Sequence, residues 1–201
     1  MPPESTMHFY FNWTKERIDE MDAALASLEA KAPEVKADAK AKADQLIADL
    51  KKRRDEFQVL ARKQAEAGEA AWKSAQTQLQ TQWNAFETQL KAYLETVGKQ
   101  IEQQQAIFRE VAAAQTKAWR EAADKLRDEG AKMAAGKRPE IDAAVKKMKA
   151  EADAQLERLK QAGGQSWSVI SAALAESRKA FDRANQAAWE ALKRTPETPK
   201  S

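Results

Sequence analysis

The residue types that catalysis and metal binding need are scarce in this chain. Of 201 residues none is cysteine, and His8 is the single histidine. Thiolate chemistry is therefore excluded, as is a helical metal site built from Glu-x-x-His pairs. The 6 glycines form no GxGxxG or GxxxxGK phosphate loop. The sequence predicts no catalytic residue, no metal, no cofactor and no small-molecule substrate, and therefore a protein that is not an enzyme.

A short cationic run is the strongest charged feature, and it could contact an anionic surface such as lipid or nucleic acid. It consists of Lys51, Lys52, Arg53 and Arg54. Acidic residues interleave with it, which favours a solvated helix face that pairs with its own carboxylates. The 34 cations and 31 anions of the whole chain leave a net charge of only +3. No specific nucleic-acid partner is predicted from this balance.

An apolar stripe with a period of eleven residues dominates the middle of the chain. Eleven residues make almost three α-helical turns, so the stripe runs nearly straight along a helix. We therefore expect one continuous amphipathic helix from Trp72 to Trp119, with its stripe facing a core or a partner. The candidate stripe, extended to the C-terminal region, comprises Trp72, Leu79, Trp83, Phe86, Leu90, Val97, Ile101, Phe108, Trp119, Trp167, Leu174, Phe181 and Trp189.

Two repeats underlie this pattern. When the chain is cut into blocks of eleven from Trp13, the first position is non-polar in every block except the one that begins at Arg178. The eleven-residue unit is therefore the main construction rule. A longer repeat, with an offset of 95, suggests a duplicated helix–Gly–helix unit: Gly68, Trp72, Leu79 and Phe86 have the same spacing as Gly163, Trp167, Leu174 and Phe181.

The composition predicts an all-α fold, because Ala, Glu, Lys, Gln and Leu dominate and are strong helix formers. We expect long amphipathic helices in an antiparallel helical bundle or coiled coil, kinked near Pro33 and Gly163–Gly164. Three arms are predicted, over residues 14–67, 69–130 and 139–194. Each arm would be on the order of 80 Å long.

The domain prediction follows from these arms. Residues 1–12 are expected to form a flexible aromatic leader, 13–194 a single elongated helical domain, and 195–201 a disordered Pro- and Thr-rich tail. Glycine and proline between Gly130 and Pro139 predict the main loop, whereas Gly68 could lie in a bend or within a helix. The aromatic residues near the N-terminus suit either packing on the first helix or a membrane interface.

The segment LIADLKKRRDEFQVLARKQAEAGEAAWKSAQTQLQTQWNAFETQLKAY resembles small bacterial coiled-coil stress-response proteins. These have a charged helix, a Gly-containing bend and a Trp-bearing amphipathic helix, matched here by GEAAW with Trp72 and by Trp83. The resemblance covers roughly residues 13–95 and implies a stress-related or scaffolding role. The eleven-residue pattern is also similar to that of exchangeable apolipoproteins and late-embryogenesis-abundant proteins.

Two functions are compatible with these features. In the first, the protein is a structural or interaction protein that self-associates or binds another helical protein. In the second, it is a peripheral binder of a lipid membrane or a hydrophobic granule, with its stripe turned outward. The sequence contains no membrane-spanning run and no secretory signal, so a cytoplasmic location is expected.

Overall fold

Long helices and short connections make up the part of the chain that the structure describes. The structure is a computed structural model, and it describes residues 4–68, 71–96, 101–132 and 135–193. Within these ranges the chain forms six α-helices, which confirms the all-α prediction. They are α1 (Glu4–Lys31), α2 (Ala37–Ala67), α3 (Trp72–Thr96), α4 (Ile101–Ala131), α5 (Arg138–Ala162) and α6 (Trp167–Lys193). Two 3-10 segments, Ala32–Glu34 and Ala135–Lys137, precede α2 and α5.

The helices pack as an antiparallel bundle in which successive helices run in opposite directions. α1 and α2 form a hairpin, since Arg54 on α2 binds Asp22 on α1 at 2.6 Å. α1 and α4 are also antiparallel, because Lys15 meets Glu121 while Glu20 meets Gln115. α4 lies at the centre and packs against α1, α5 and α6. The antiparallel bundle predicted from the composition is therefore present.

The predicted 80 Å arms are wrong, because each arm folds back on itself. At Pro33 the chain does not kink but reverses through the 3-10 turn Ala32–Glu34. Gly163–Gly164 likewise separates two helices, α5 and α6, which pack side by side. The helices have 25 to 31 residues. At 1.5 Å per residue each is only about 40–45 Å long.

The continuous helix expected from Trp72 to Trp119 is also wrong. α3 ends at Thr96 and α4 begins at Ile101. The two helices run in opposite directions, since α3 is antiparallel to α2 while α4 is antiparallel to α1. Val97 lies outside the described residues, and Gly98 stands in the sequence between the two helices. The eleven-residue period persists across this reversal because each helix separately buries one face.

The N-terminal boundary differs from the expected flexible leader over residues 1–12. α1 begins at Glu4, and Tyr10 is buried. The Tyr10 hydroxyl donates a hydrogen bond to the carbonyl oxygen of Ala61 on α2. Trp13 stacks on Phe57 of the same helix, with ring centroids 6.2 Å apart. The aromatic residues thus extend α1 by packing on α2, which a terminal tail without a partner could not do. The expected tail over 195–201 lies outside the described residues.

Two glycines affect how the helices end and how closely they pack. Gly68 ends α2 with a φ of +84°, a left-handed conformation that glycine adopts without strain. The predicted loop between α4 and α5 is present, although Gly130 lies inside α4 rather than in the loop. A Cβ atom at Gly130 would come within 2.5 Å of Ile141 Cγ2, so glycine allows α4 and α5 to approach closely.

Two apolar clusters form the core. The larger joins α1, α2 and α3 to the N-terminal half of α4 and to residues near the α5–α6 turn. The smaller joins the C-terminal half of α4 to α5 and α6, and at its centre Trp119 and Phe181 meet edge to face at 5.3 Å. On α1, the face turned toward α4 and α6 carries buried polar residues, and these form the site described next.

Candidate functional site

Except for Trp167, the members of the predicted apolar stripe whose side chains are described are buried inside the bundle. Trp83 and Trp119 are each only 3% exposed. The other buried members are Leu79, Phe86, Leu90, Phe108, Leu174, Phe181 and Trp189. Trp167 is half-buried at the edge of a cavity. The side chains of Trp72, Val97 and Ile101 lie outside the described part of the structure.

The predicted anionic-surface contact is largely engaged with the protein's own carboxylates. Lys51 pairs with Glu29 on α1, and Arg54 binds both Asp22 and Asp55. Lys52 lies 4.0 Å from Glu56, and Arg53 is half-buried. Pairs of this kind at a surface contribute little stability individually. Lys51 and Arg54 nevertheless help to hold α2 against α1, because each is paired with a carboxylate of α1.

The most unusual feature of the interior is a buried ion pair between α1 and α6. Arg178 donates from Nε to Glu20 Oε2 at 2.7 Å and from Nη2 to Glu20 Oε1 at 2.9 Å. Glu20 is 1% exposed and Arg178 is 8% exposed. Gln115 on α4 donates a further hydrogen bond to Glu20 Oε1 at 2.8 Å. Three helices are thus joined at one carboxylate.

The remaining surface of Arg178 is occupied by α3. Its guanidinium carbon lies 4.4 Å from the centre of the Trp83 ring, within the range of a cation–π contact. Its Nη1 donates to Glu87 Oε1 at 2.9 Å. Glu87 is the exposed member of this group, with 44% of its side chain accessible. Arg178 therefore links buried Glu20 to the edge of the cavity.

A second arginine repeats this arrangement one turn away along α1. Arg17 donates to both carboxylate oxygens of Asp182 on α6, at 2.7 and 2.6 Å, and stacks over Trp13 at 4.3 Å. Nearby, Asn12 donates to Asn185 Oδ1, which also accepts from the indole of Trp189. The α1–α6 contact is therefore fixed by directional polar bonds rather than by apolar packing alone.

The pKa values of the two buried carboxyl groups of α1, Glu16 and Glu20, are shifted in opposite directions. Burial raises the pKa of Glu16 well above its ordinary value, and the neighbouring charge of Glu20 raises it further. Burial also acts to raise the pKa of Glu20, but Arg178, Glu16 and Gln115 outweigh it and lower that pKa to about 2. Glu20 is consequently ionised at neutral pH, and Arg178 compensates its charge. The charge of Arg178 is stabilised in turn, and its pKa is raised.

An open cavity of about 540 Å³ lies beside this network, between α3 and α6 and above α1 and α4. Its apolar wall consists of Trp83, Phe86, Leu90, Val111, Trp167 and Leu174. Glu20, Glu87 and Arg178 close one side of it, and Lys91 lies at the rim. The cavity exists because α3 packs against α2 and hardly touches α4.

The polar network was not predicted from the sequence, although the sequence contains two signals of it. Arg178 is the only polar residue at the first position of the eleven-residue blocks, and the structure buries it. The offset of 95 was a second signal. Glu20 and Gln115 are separated by that offset and are bonded to each other. Trp83 and Arg178 are separated by it too, and they stack. Neither observation identified Glu16, Glu20 or Arg17.

Within the described ranges, no helix combines the length and the apolar composition that crossing a membrane requires. Among the same residues, histidine, cysteine, aspartate and glutamate nowhere gather in groups that could hold a metal ion. Comparisons with protein-family models, with curated proteins and with solved structures find no match to this chain.

Proposed function

We propose that the protein is a non-enzymatic helical interaction protein of the cytoplasm. It would act as a structural scaffold that presents charged helix faces to another helical protein or to a second copy of itself. The observation that carries this proposal is the burial of Trp83 and Trp119, at 3% exposure, within a single chain. A helix that binds a lipid surface needs its apolar face for the lipid. The proposed stress-related role derives from the sequence resemblance alone.

The described outer surface favours binding of a partner through charged residues rather than through an apolar patch. The described large apolar residues that are exposed are Phe11, Val59 and Val169, and they lie on three different helices. Contiguous apolar patches mark many interaction sites, whereas single exposed residues are ordinary. Ion pairs between neighbouring turns line the solvent faces, as in Lys160 with Glu157. A partner with alternating charges on a helix would complement such faces.

Circular dichroism with and without anionic vesicles, combined with vesicle co-sedimentation, tests this proposal. A self-contained bundle is expected to be fully helical in buffer, to melt cooperatively and to stay in the supernatant at every vesicle charge. Its helicity should not change when vesicles are added, because the apolar faces are already buried. Light scattering on a sizing column then separates a self-associating protein from one that needs a different partner.

The alternative function, peripheral binding to a membrane or hydrophobic granule, predicts the opposite results. Helicity would be partial in buffer and would rise with anionic vesicles. Binding would also fall with added salt. It would be lost on replacing Lys51, Lys52, Arg53 and Arg54 with Gln. That combination of results would refute the scaffold proposal.

A further inference from the structure

The cavity between α3 and α6 has the size and composition of a ligand pocket. Its volume of about 540 Å³ lies within the range of roughly 300–1,000 Å³ that is usual for small-molecule sites. Most of its wall is apolar, and the polar groups are gathered at one side and at the rim. An occupant would therefore need an apolar body and one polar end.

Arg178 is poorly suited to bind an anion in this cavity, because two carboxylates already engage three of its five N–H donors and compensate its charge. Nε and Nη2 donate to Glu20, and Nη1 donates to Glu87. Two carboxylates thus surround one guanidinium, and these three groups together carry one net negative charge. Lys91, the other lining cation, is largely exposed and lies 3.7 Å from Glu95.

Glu87 could bind the polar end of an occupant, because one of its two carboxylate oxygens has no partner among the described residues. Its Oε1 accepts from Arg178 at 2.9 Å, and its Oε2 has no hydrogen bond or ion pair to any described residue. Its side chain is partly exposed at the edge of the cavity, so a ligand can reach this oxygen. A carboxylate in that state binds an ammonium group by a charge-assisted hydrogen bond.

The hydroxyl groups that line the cavity also present lone pairs rather than protons. Thr88 Oγ1 donates its proton to the carbonyl oxygen of Asn84, and Ser171 Oγ donates to that of Ser168. Each oxygen is therefore left as an acceptor. Together with Glu87, these oxygens complement a hydrogen-bond donor that carries a positive charge. The ring of Trp167, half-buried in the cavity wall, adds an aromatic surface against which an apolar body can pack.

We propose that this cavity binds one molecule of a cationic amphiphile, an ammonium group attached to an aliphatic or aromatic body. The ammonium group contacts Glu87. The apolar body lies among Phe86, Leu90 and Leu174. This inference is independent of the scaffold proposal, since it concerns an internal site and requires neither a macromolecular partner nor a vesicle surface.

Three probes of equal chain length test the charge preference: decylammonium, decanol and decanoate, each kept below its micelle concentration. Isothermal titration calorimetry and tryptophan fluorescence would follow their binding to the full chain. Decylammonium is expected to bind one-to-one, about tenfold or more tighter than either other probe, as a charge-assisted contact predicts. Absence of decylammonium binding, or decanoate binding as tight as decylammonium binding, would overturn the proposal.

Three variants locate the site. Glu87→Gln keeps an acceptor for Arg178 but removes the charge, and it should weaken decylammonium binding about tenfold while leaving decanol unchanged. Glu176→Gln is the matched control, because Glu176 is an exposed carboxylate that does not line the cavity. Ala172→Trp places an indole at the exposed mouth and should abolish binding of decylammonium and decanol. Circular dichroism would confirm the fold of each variant. Unchanged decylammonium binding in Ala172→Trp or Glu87→Gln would show that the ligand lies elsewhere.

Discussion

Replacing Arg178 with Met tests whether the buried ion pair organises the bundle. The variant keeps much of the side chain's length but leaves Glu20, which is 1% exposed, with only the hydrogen bonds of Gln115 and Glu16 and no compensating charge. Removing one partner of a buried pair leaves an uncompensated charge, which typically costs 3–5 kcal/mol. We therefore expect the free energy of unfolding to fall by about 3–5 kcal/mol at neutral pH.

The pKa of Glu20 gives a second measure of how much Arg178 contributes to the free energy of unfolding. Its fall from the ordinary value of 4.5 to about 2 corresponds to about 3 kcal/mol of stability. Because that pKa is depressed in the folded state, the contribution is present above pH 4.5 and is lost as the pH falls toward 2. Without Arg178, burial, which is the largest single effect on Glu20, is opposed only by the hydrogen bonds with Glu16 and Gln115, so the pKa of Glu20 should rise and the sign should reverse. On acidification the contribution of Glu20 to stability should therefore rise in the variant, whereas in the natural protein it falls over the same range.

Urea unfolding followed by circular dichroism, at neutral pH and near pH 4, measures both effects. Lys160→Met is the matched control, since it breaks an exposed pair with Glu157 and should cost less than about 1 kcal/mol. The double variant Glu20→Met, Arg178→Met should lose much less than the single one, because no buried charge remains. A cost for Arg178→Met no larger than that of the control, or one independent of pH, would refute the reasoning.

Three further predictions concern other parts of the bundle. Trp119→Ala should lower the free energy of unfolding by about 3–5 kcal/mol in urea titrations; melting equal to that of the natural protein would show that the stripe is not core. Glu16→Gln should stabilise the protein increasingly as pH rises above 4.5. The pKa of the natural carboxyl group is raised in the folded state, so its contribution to stability is lost as pH rises toward that pKa. Free energies of unfolding that change with pH in parallel for the variant and the natural protein would contradict this. Gly130→Ala should cost about 1–3 kcal/mol in thermal melts through its clash with Ile141, whereas Gly136→Ala, with open space around it, should change stability by less than about 0.5 kcal/mol.

The fold class could be predicted from the sequence because it depends on local properties. Helix formers and an eleven-residue apolar period require amphipathic helices, and the stripe residues Trp83, Phe86 and Trp119 are buried as that period implies. Breaks near Pro33 and at Gly163–Gly164 were predictable from backbone chemistry alone. The direction of the chain after each break was not predictable, because the same residues are compatible with a kink and with a reversal.

The burial of Arg178 illustrates what the sequence could not determine. Its position in the repeat marked it as exceptional, but its partner Glu20 lies 158 positions away and looks like an ordinary charged residue of an amphipathic helix. The cavity between α3 and α6 could not be predicted from the sequence either, because it depends on α3 packing against α2 rather than against α4.

The apolar period specifies which face of each helix is buried, and hence that the protein is a bundle of helices with a shared core. Which helices are neighbours, which charges are buried and where a cavity remains depend on contacts between distant parts of the chain. A periodic pattern shows that one face of a helix is buried, but it carries no information about what covers that face. The energy of a buried carboxylate depends on the groups within a few ångströms, and for Glu20 these come from α1, α4 and α6.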